Sequence, residues 1–381
     1  MRIFSCQACD QSLFFENSVC LSCQAEVAYS PELGDFFVLP KGVAPDAPFE
    51  LDVPGKGPQA FRRCQNLVEG CNWIFPVQEQ ADGEPEVFCA SCRLTSIIPE
   101  LANAEHHAAW LEIEQSKRRL LYTLQALSLP IVSQEQDAQA GLTFRFMSDT
   151  AQEKVMTGHA DGVITINVAE ANGAFRENLR EKLGEGYRTV LGHLRHEIGH
   201  YYWDRLVRDQ PALAAFRELF GDEQQSYQEA IQRHYEQGAP ANWADSFISA
   251  YATMHPWEDW AETWAHYLHM VDTLETAKSH GLVLRVPGAG AKVVIEGLDV
   301  RDFDEMSKSW RTVTLALNSL NRSMGLKDAY PFVPTPAVQK KLRFIHELIR
   351  QPRAAASKAA PKSVRARPRS TEAARAAAAK A

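Results

Sequence analysis

The apolar positions of this chain change period several times, and each change predicts an element. From Ala104 to Leu127 they recur at helical spacing, with Trp110, Ile113, Leu120, Leu121, Leu124 and Leu127 inward and Pro130 beyond the end. Two β-type segments follow, Leu142 to Met147 and Gly162 to Val168; the second reads GVITINV, alternating and β-branched. A helical stripe returns at Leu191, Leu194, Ile198, Tyr201 and Tyr202, and Pro211 opens a further helical run to about Tyr235, ended by Gly238 and Pro240. Pro256 suits the first position of a helix that reaches Gly281 without internal Gly or Pro. Trp257, Trp260, Ala261, Trp264, Leu268 and Val271 supply its buried stripe. Two more helices span about Phe303 to Ser323 and Pro336 to Ile349, the latter capped by Thr335. Residues 40 to 60, rich in Pro and Gly, read as loop; Leu282 to Asp299 reads as β-prone flanks around a flexible PGAGA centre, either a cover for a cleft or a plain surface loop.

The stripe around Leu194 leaves a different set of residues on the other side of its helix. The run GHLRHEIGHYYWDR, Gly192 to Arg205, contains HExxH as His196, Glu197 and His200. Four residues make about 1.1 turns and about 6 Å of rise, so the two imidazoles point the same way and can share one cation with Glu197 beside them. That is a zinc-peptidase arrangement: two neutral nitrogens hold the metal, an open position holds water, and a carboxylate removes the water's proton. His193 lies one turn before His196 and could compete as a ligand, but only the HExxH pair brings Glu197 with it; a place behind the ligands, or in the core, suits His193 better. On the later helix, Glu258 and Glu262 stand four apart on one face among tryptophans, which makes a third zinc ligand the sharper reading than a solvated face. Glu262 with His266 is also an i, i+4 metal-capable pair, but it supplies no general base, and His269 lies further along the same helix. His106 and His107 read as surface residues.

Cysteine placement adds a second kind of metal site. All eight cysteines fall in the first 92 residues. Cys6, Cys9, Cys20 and Cys23 have zinc-ribbon spacing, and Cys64, Cys71, Cys89 and Cys92 form a looser second set. Four-cysteine sites are coordinatively closed, so their expected role is structural, with docking of nucleic acid or protein as the alternative.

Composition alters the picture in two places. With 381 residues, 45% hydrophobic and 9% aromatic, the chain suits two or three globular domains. No apolar run approaches 18 residues and the start, MRIFSCQACD, lacks a signal pattern, so a cytoplasmic protein without membrane contact is expected. The net charge of −8 hides an asymmetry: residues 351–381 carry eight Lys and Arg against one Glu, or +7, leaving −15 for the rest. This Ala-, Lys-, Arg- and Pro-rich tail is expected to be disordered and to offer an anionic partner such as nucleic acid a contact.

Taken together, GHLRHEIGHYYWDRL and HPWEDWAETWAHYLH behind an amino-terminal cysteine ribbon resemble the zinc-binding metallopeptidase family that carries a zinc-ribbon domain, from Cys6 to about Ile349. More distantly they resemble the gluzincins of the lethal-factor type. The resemblance implies that Glu258 binds zinc and that Glu262 orients a ligand histidine, with Glu262 as the alternative third ligand. It also places Tyr251, seven residues before Glu258, at the reaction centre as a hydrogen-bond donor to the oxyanion. The expected architecture is α+β. A zinc-ribbon region over 1–98 with two candidate four-cysteine sites precedes a mainly helical, zincin-like metallopeptidase domain with a small β-sheet over 99–350, then the tail over 351–381. The expected function is zinc-dependent hydrolysis of a peptide or protein substrate, using one catalytic and one or two structural Zn²⁺. The alternative is a zinc-ribbon nucleic-acid- or protein-binding protein with a vestigial HExxH site.

Overall fold

The structure is a computed structural model that describes residues 1–77, 85–150, 152–177, 189–285, 292–298 and 300–351. It is mixed α and β, with small sheets and a cysteine-rich amino-terminal region. β1 (Phe4–Ser5) and β2 (Ser12–Leu13) pair across the first cysteine knuckle. Each knuckle closes the same way: Asp10 N–H donates to the Cys6 carbonyl and Gln24 N–H to the Cys20 carbonyl, both at left-handed φ, 57° and 59°. β3 (Val27–Ser30) and β4 (Asp35–Val38) form an antiparallel hairpin.

The loop expected over residues 40 to 60 is corrected. β5 (Phe49–Val53) and β6 (Gly57–Arg63) pair antiparallel, and β6 pairs with β7 (Ile74–Pro76). Phe49, Leu51 and Val53 are buried while Glu50 and Asp52 are exposed, a period-2 signal that the flanking Pro and Gly outweighed. Gly55 and Gly57, at φ 76° and 73°, serve the turn between the two strands. These strands have a small core of their own with Phe37, Phe61 and Ile74. Phe4, Phe15, Tyr29, Phe36, Trp73 and Phe75 join the main core: Phe15 meets Tyr29 at 4.9 Å and Tyr122 at 5.4 Å between ring centroids.

Past the short α1 (Ala90–Arg93), β8 (Thr95–Ile97) leads into α2 (Ala104–Ala126), capped by Asn103. His107, expected at the surface, is part-buried and meets Glu69 at 2.6 Å, which fastens the start of α2 to the ribbon region. β9 (Thr143–Met147), β10 (Gly158–Ala160) and β11 (Val163–Asn167) complete a four-stranded sheet in the order β10-β11-β9-β8. Its β11–β9 and β9–β8 pairs are parallel, and β10 is an antiparallel edge strand. The β10–β11 turn uses Asp161 and Gly162 at φ 48° and 82°.

α3 (Val190–Leu206) carries the HExxH residues and packs on α2, on β10 and most closely on the later helix α6. The single helix expected from Pro211 to Tyr235 is two, α4 (Leu213–Phe220) and α5 (Tyr227–Gln237). Gly221, at φ 104°, ends the first against the Pro256 ring, and the Ser226 hydroxyl caps the second. α6 (Pro256–Ser279) starts as its sequence predicts: Pro256 stands in the first turn and His255 accepts the Trp257 N–H. α3 and α6 approach so closely that a Cβ at Gly199 would lie 3.1 Å from the Ala261 Cα and 3.2 Å from the Trp264 Cβ. Trp260 Nε1 donates to the Gly199 carbonyl at 2.8 Å, and Arg195 pairs with Asp272 at 2.6 Å. Overpacking of this kind costs about 1–3 kcal/mol, so the glycine of HEIGH is a packing requirement.

β12 (Val283–Arg285) and β13 (Lys292–Val294) pair antiparallel, while the PGAGA centre lies outside the described residues. α7 (Phe303–Ser323) and α8 (Pro336–Arg350) pack behind α6, and Lys341 of α8 pairs with the buried Asp259 at 2.6 Å. Residues 352–381, most of the predicted tail, lie outside the described residues. Among the described residues no helix is long and apolar enough to cross a membrane.

Candidate metal centres and active site

Three groups of metal-capable side chains converge among the described residues, each with its donor atoms within 4.8 Å of one another. Two are the cysteine quartets. Sulfur separations are 3.6 Å for Cys9–Cys20 and 3.7 Å for Cys6–Cys23, and 3.7 Å for Cys71–Cys89 and 3.8 Å for Cys71–Cys92. Four thiolates about 2.3 Å from a tetrahedral zinc stand about 3.8 Å apart, so both quartets fit the metal; a disulfide would need about 2.05 Å. Cys64, Cys71, Cys89 and Cys92 are all buried, with the buried Arg118 of α2 beside them. Burial would lower the Arg118 pKa, but the negative potential of Cys71, Glu114, Cys92 and Cys89 outweighs it and raises it.

The third group is His196, His200 and Glu258. Thr189 caps α3 by accepting the Gly192 N–H, and one helical turn separates the two imidazoles, whose Nε2 atoms face each other at 3.3 Å. Glu258, in the first turn of α6, puts Oε2 3.0 Å from His196 Nε2 and Oε1 3.6 Å from His200 Nε2. The other face of His196 is taken by Glu262, whose Oε1 lies 2.7 Å from Nδ1. Glu262 is itself fixed by the Ser249 hydroxyl, which donates to Oε2 at 2.6 Å. A carboxylate at Nδ1 holds the proton there and leaves the Nε2 lone pair toward His200 and Glu258.

The electrostatics of these groups admit two arrangements, an imidazolium bridging two carboxylates or a neutral imidazole facing a cation. Burial lowers the His196 pKa, and the opposing Glu258 and Glu262 carboxylates push it well above its usual value. Geometry favours the cation. Glu258 Oε2 is buried without a hydrogen bond despite its 3.0 Å approach, because its contact with His196 lacks hydrogen-bond alignment. Three donor atoms converge on one point, so the residues present fit a metal ion.

Glu197 is buried beside this point, with Oε1 3.2 Å from His193 Nε2. Burial would raise its pKa; the hydrogen bond from His193 and the neighbouring imidazoles outweigh that and lower it. Tyr251 sits on a short turn before α6, its ring 6.0 Å from that of His196 and 5.9 Å from that of His234. Burial, with Glu258 adding to it, pushes its hydroxyl pKa far up, so it stays a proton donor. His159 of the edge strand lies parallel to His200, ring centroids 6.2 Å apart, and accepts the Gly162 N–H. His266 and His269 are elsewhere: His266 meets the Tyr330 hydroxyl at 2.8 Å, and the His269 ring packs on Trp310 and Tyr330. Neither joins a three-donor group among the described residues.

Three contributors escape any sequence pattern. Tyr227, at the start of α5, donates its hydroxyl to Glu258 Oε1 at 2.9 Å; Ser249 holds Glu262; Glu170 pairs with His193. Each reaches the site through a tertiary contact, so no local periodicity marks it.

The sequence profile of a family described as "Putative zinc-binding metallo-peptidase" matches residues 106–348, the segment that carries all three residues of this group. The chain belongs to this metallopeptidase family. A zinc-ribbon domain profile matches residues 3–103, which hold both cysteine quartets. Uncharacterized proteins from Mycobacterium bovis and from two strains of Mycobacterium tuberculosis are 44% identical to the chain over 351 residues, 92% of this chain and 95% of each relative. No solved structure matches the chain.

Proposed function

We propose that this family member is a zinc-dependent peptidase of the gluzincin kind that works in the cytoplasm, with His196, His200 and Glu258 as ligands and Glu197 as general base. The observation that carries the reading is the convergence of two imidazole nitrogens and one bare carboxylate oxygen, with Glu262 behind His196 and Glu197 at the rim. Zinc at this point supplies Lewis acidity to a carbonyl oxygen and lowers the pKa of a water. Glu197 takes the proton of the attacking water and passes it to the nitrogen of the leaving amine. Tyr251 donates its O–H to the carbonyl oxygen as negative charge builds there. Among the described residues β10 pairs on one side only, beside α3, which suits an extended peptide backbone added as another strand. The cysteine quartets hold their region by metal, two structural zinc ions beside the catalytic one. The ribbon over 1–98, the peptidase domain over 99–350 and the tail are the working divisions, and the +7 tail steers an anionic partner such as nucleic acid.

Peptide-library cleavage by the zinc-loaded chain and its Glu197→Gln form tests the reading. The variant should keep its zinc while turnover falls roughly 10²- to 10⁴-fold. Cleavage at the parent rate would remove Glu197 as the base. Salt-sensitive nucleic-acid affinity in a parent without turnover would favour the binding protein instead.

A further inference from the structure

Glu197 is supported from behind by two residues. Glu170 lies on the one-turn helix Val168–Ala171 that follows β11, and it is 5% exposed. The Thr157 hydroxyl donates to its Oε1 at 2.6 Å, and Arg176 donates to its carbonyl at 2.6 Å, so the residue is held at both side chain and backbone. Its Oε2 meets His193 Nδ1 at 2.5 Å, while the opposite nitrogen of that ring reaches Glu197 Oε1. One imidazole therefore bridges a carboxylate anchored in the sheet layer and the carboxylate beside the metal-capable group. The Nδ1 contact is a hydrogen bond, and the Nε2 contact is a 3.2 Å approach to Glu197 Oε1, so the ring is clamped between the two carboxylates.

We propose that Glu170 and His193 are a positioning pair that pins Glu197 Oε1 and so makes Oε2 the oxygen offered to the reacting water. This inference rests on the peptidase reading above. The terminal carboxylate torsion of a glutamate is broad, and a free carboxylate would sample many orientations; a base works only within hydrogen-bond reach of the proton it removes.

The test uses the full-length, zinc-loaded chain and two probes: a cleavable library peptide and a peptidyl hydroxamate, whose binding requires a carboxylate to accept its proton. His193→Gln and Glu170→Gln should each lower kcat about 10- to 100-fold with KM and zinc content unchanged, the range seen when residues behind a metal site are lost. Hydroxamate affinity, measured by calorimetry, should fall in parallel. In a Glu197→Gln background, His193→Gln should cost nothing more, because the pair acts only through that carboxylate. The proposal is overturned if Glu197→Gln weakens hydroxamate binding while His193→Gln and Glu170→Gln do not, or if the losses add in full. If Glu197→Gln binds the hydroxamate like the parent, the base assignment itself falls and the pair with it.

Discussion

In the cysteine quartets four sulfurs close a shell between short strands and knuckles, whereas at the His/Glu centre three donors stand on two long helices. The first quartet has two of its four cysteines exposed, and its knuckles are closed by backbone hydrogen bonds from left-handed residues. At the other site, Gly199 lets α3 and α6 touch, and Trp260, Trp264 and Tyr202 fill the space around that contact. Aromatic pairs of this kind contribute about 0.5–1.5 kcal/mol each beyond their burial. There the packing of two helices places the donors. The contrast separates a metal that makes structure from a structure that makes a metal site, and variants in the two regions should fail in different ways.

The largest effect is expected in the ribbon. Structural zinc supplies about 10–16 kcal/mol in small metal-dependent domains. Cys6→Ser with Cys9→Ser should remove one zinc per chain and abolish hydrogen-exchange protection across the strands near residues 4–38, while α3 and α6 stay protected. Unchanged protection in those strands would mean that the aromatic contacts of Phe4, Phe15 and Tyr29 with Tyr122 suffice without metal.

A smaller effect belongs to Tyr227, which holds Glu258 by one hydroxyl. Tyr227→Phe should speed chelator-driven loss of the active-site zinc by about 10-fold, the low end for such a contact, with the melting temperature near that of the parent. An unchanged release rate would show that α6 alone orients Glu258. The smallest effect is the tail's. Deletion after Gln351 should leave small-peptide hydrolysis unaltered and weaken nucleic-acid binding only at low salt. Loss of hydrolysis would tie the tail to the site.

The pattern of legibility follows the same division. α3 and α6 could be read from the chain because their apolar stripes, caps and metal-ligand spacing are local, and His196, His200 and Glu258 then needed only one helix contact to meet. The quartets were legible for a similar reason, since a knuckle is a short-range signal. Glu170 reaches His193 across 23 residues, and Tyr227 reaches Glu258 across 31. Such pairings depend on how a sheet end and a helix start are placed in space. The strands over 49–63 were hidden because turn residues and strand residues share one short stretch, and the period of Phe49, Leu51 and Val53 spans only five positions. Gly221 stopped a helix inside a run whose periodicity continues past it, and its left-handed backbone, φ 104°, leaves no mark in the apolar pattern.

The central claim is that the His/Glu centre holds a zinc of its own through Glu258, with Glu262 behind His196. Elemental analysis of the folded parent, Glu258→Gln and Glu262→Gln after exposure to the same chelator concentration tests it most directly. The account predicts three zinc ions per chain in the parent, two in Glu258→Gln with the helices intact, and an intermediate loss in Glu262→Gln, whose affinity should drop only about 10- to 100-fold. Three ions retained in Glu258→Gln, with Glu262→Gln the variant that loses one, would contradict it and exchange the roles of the two carboxylates.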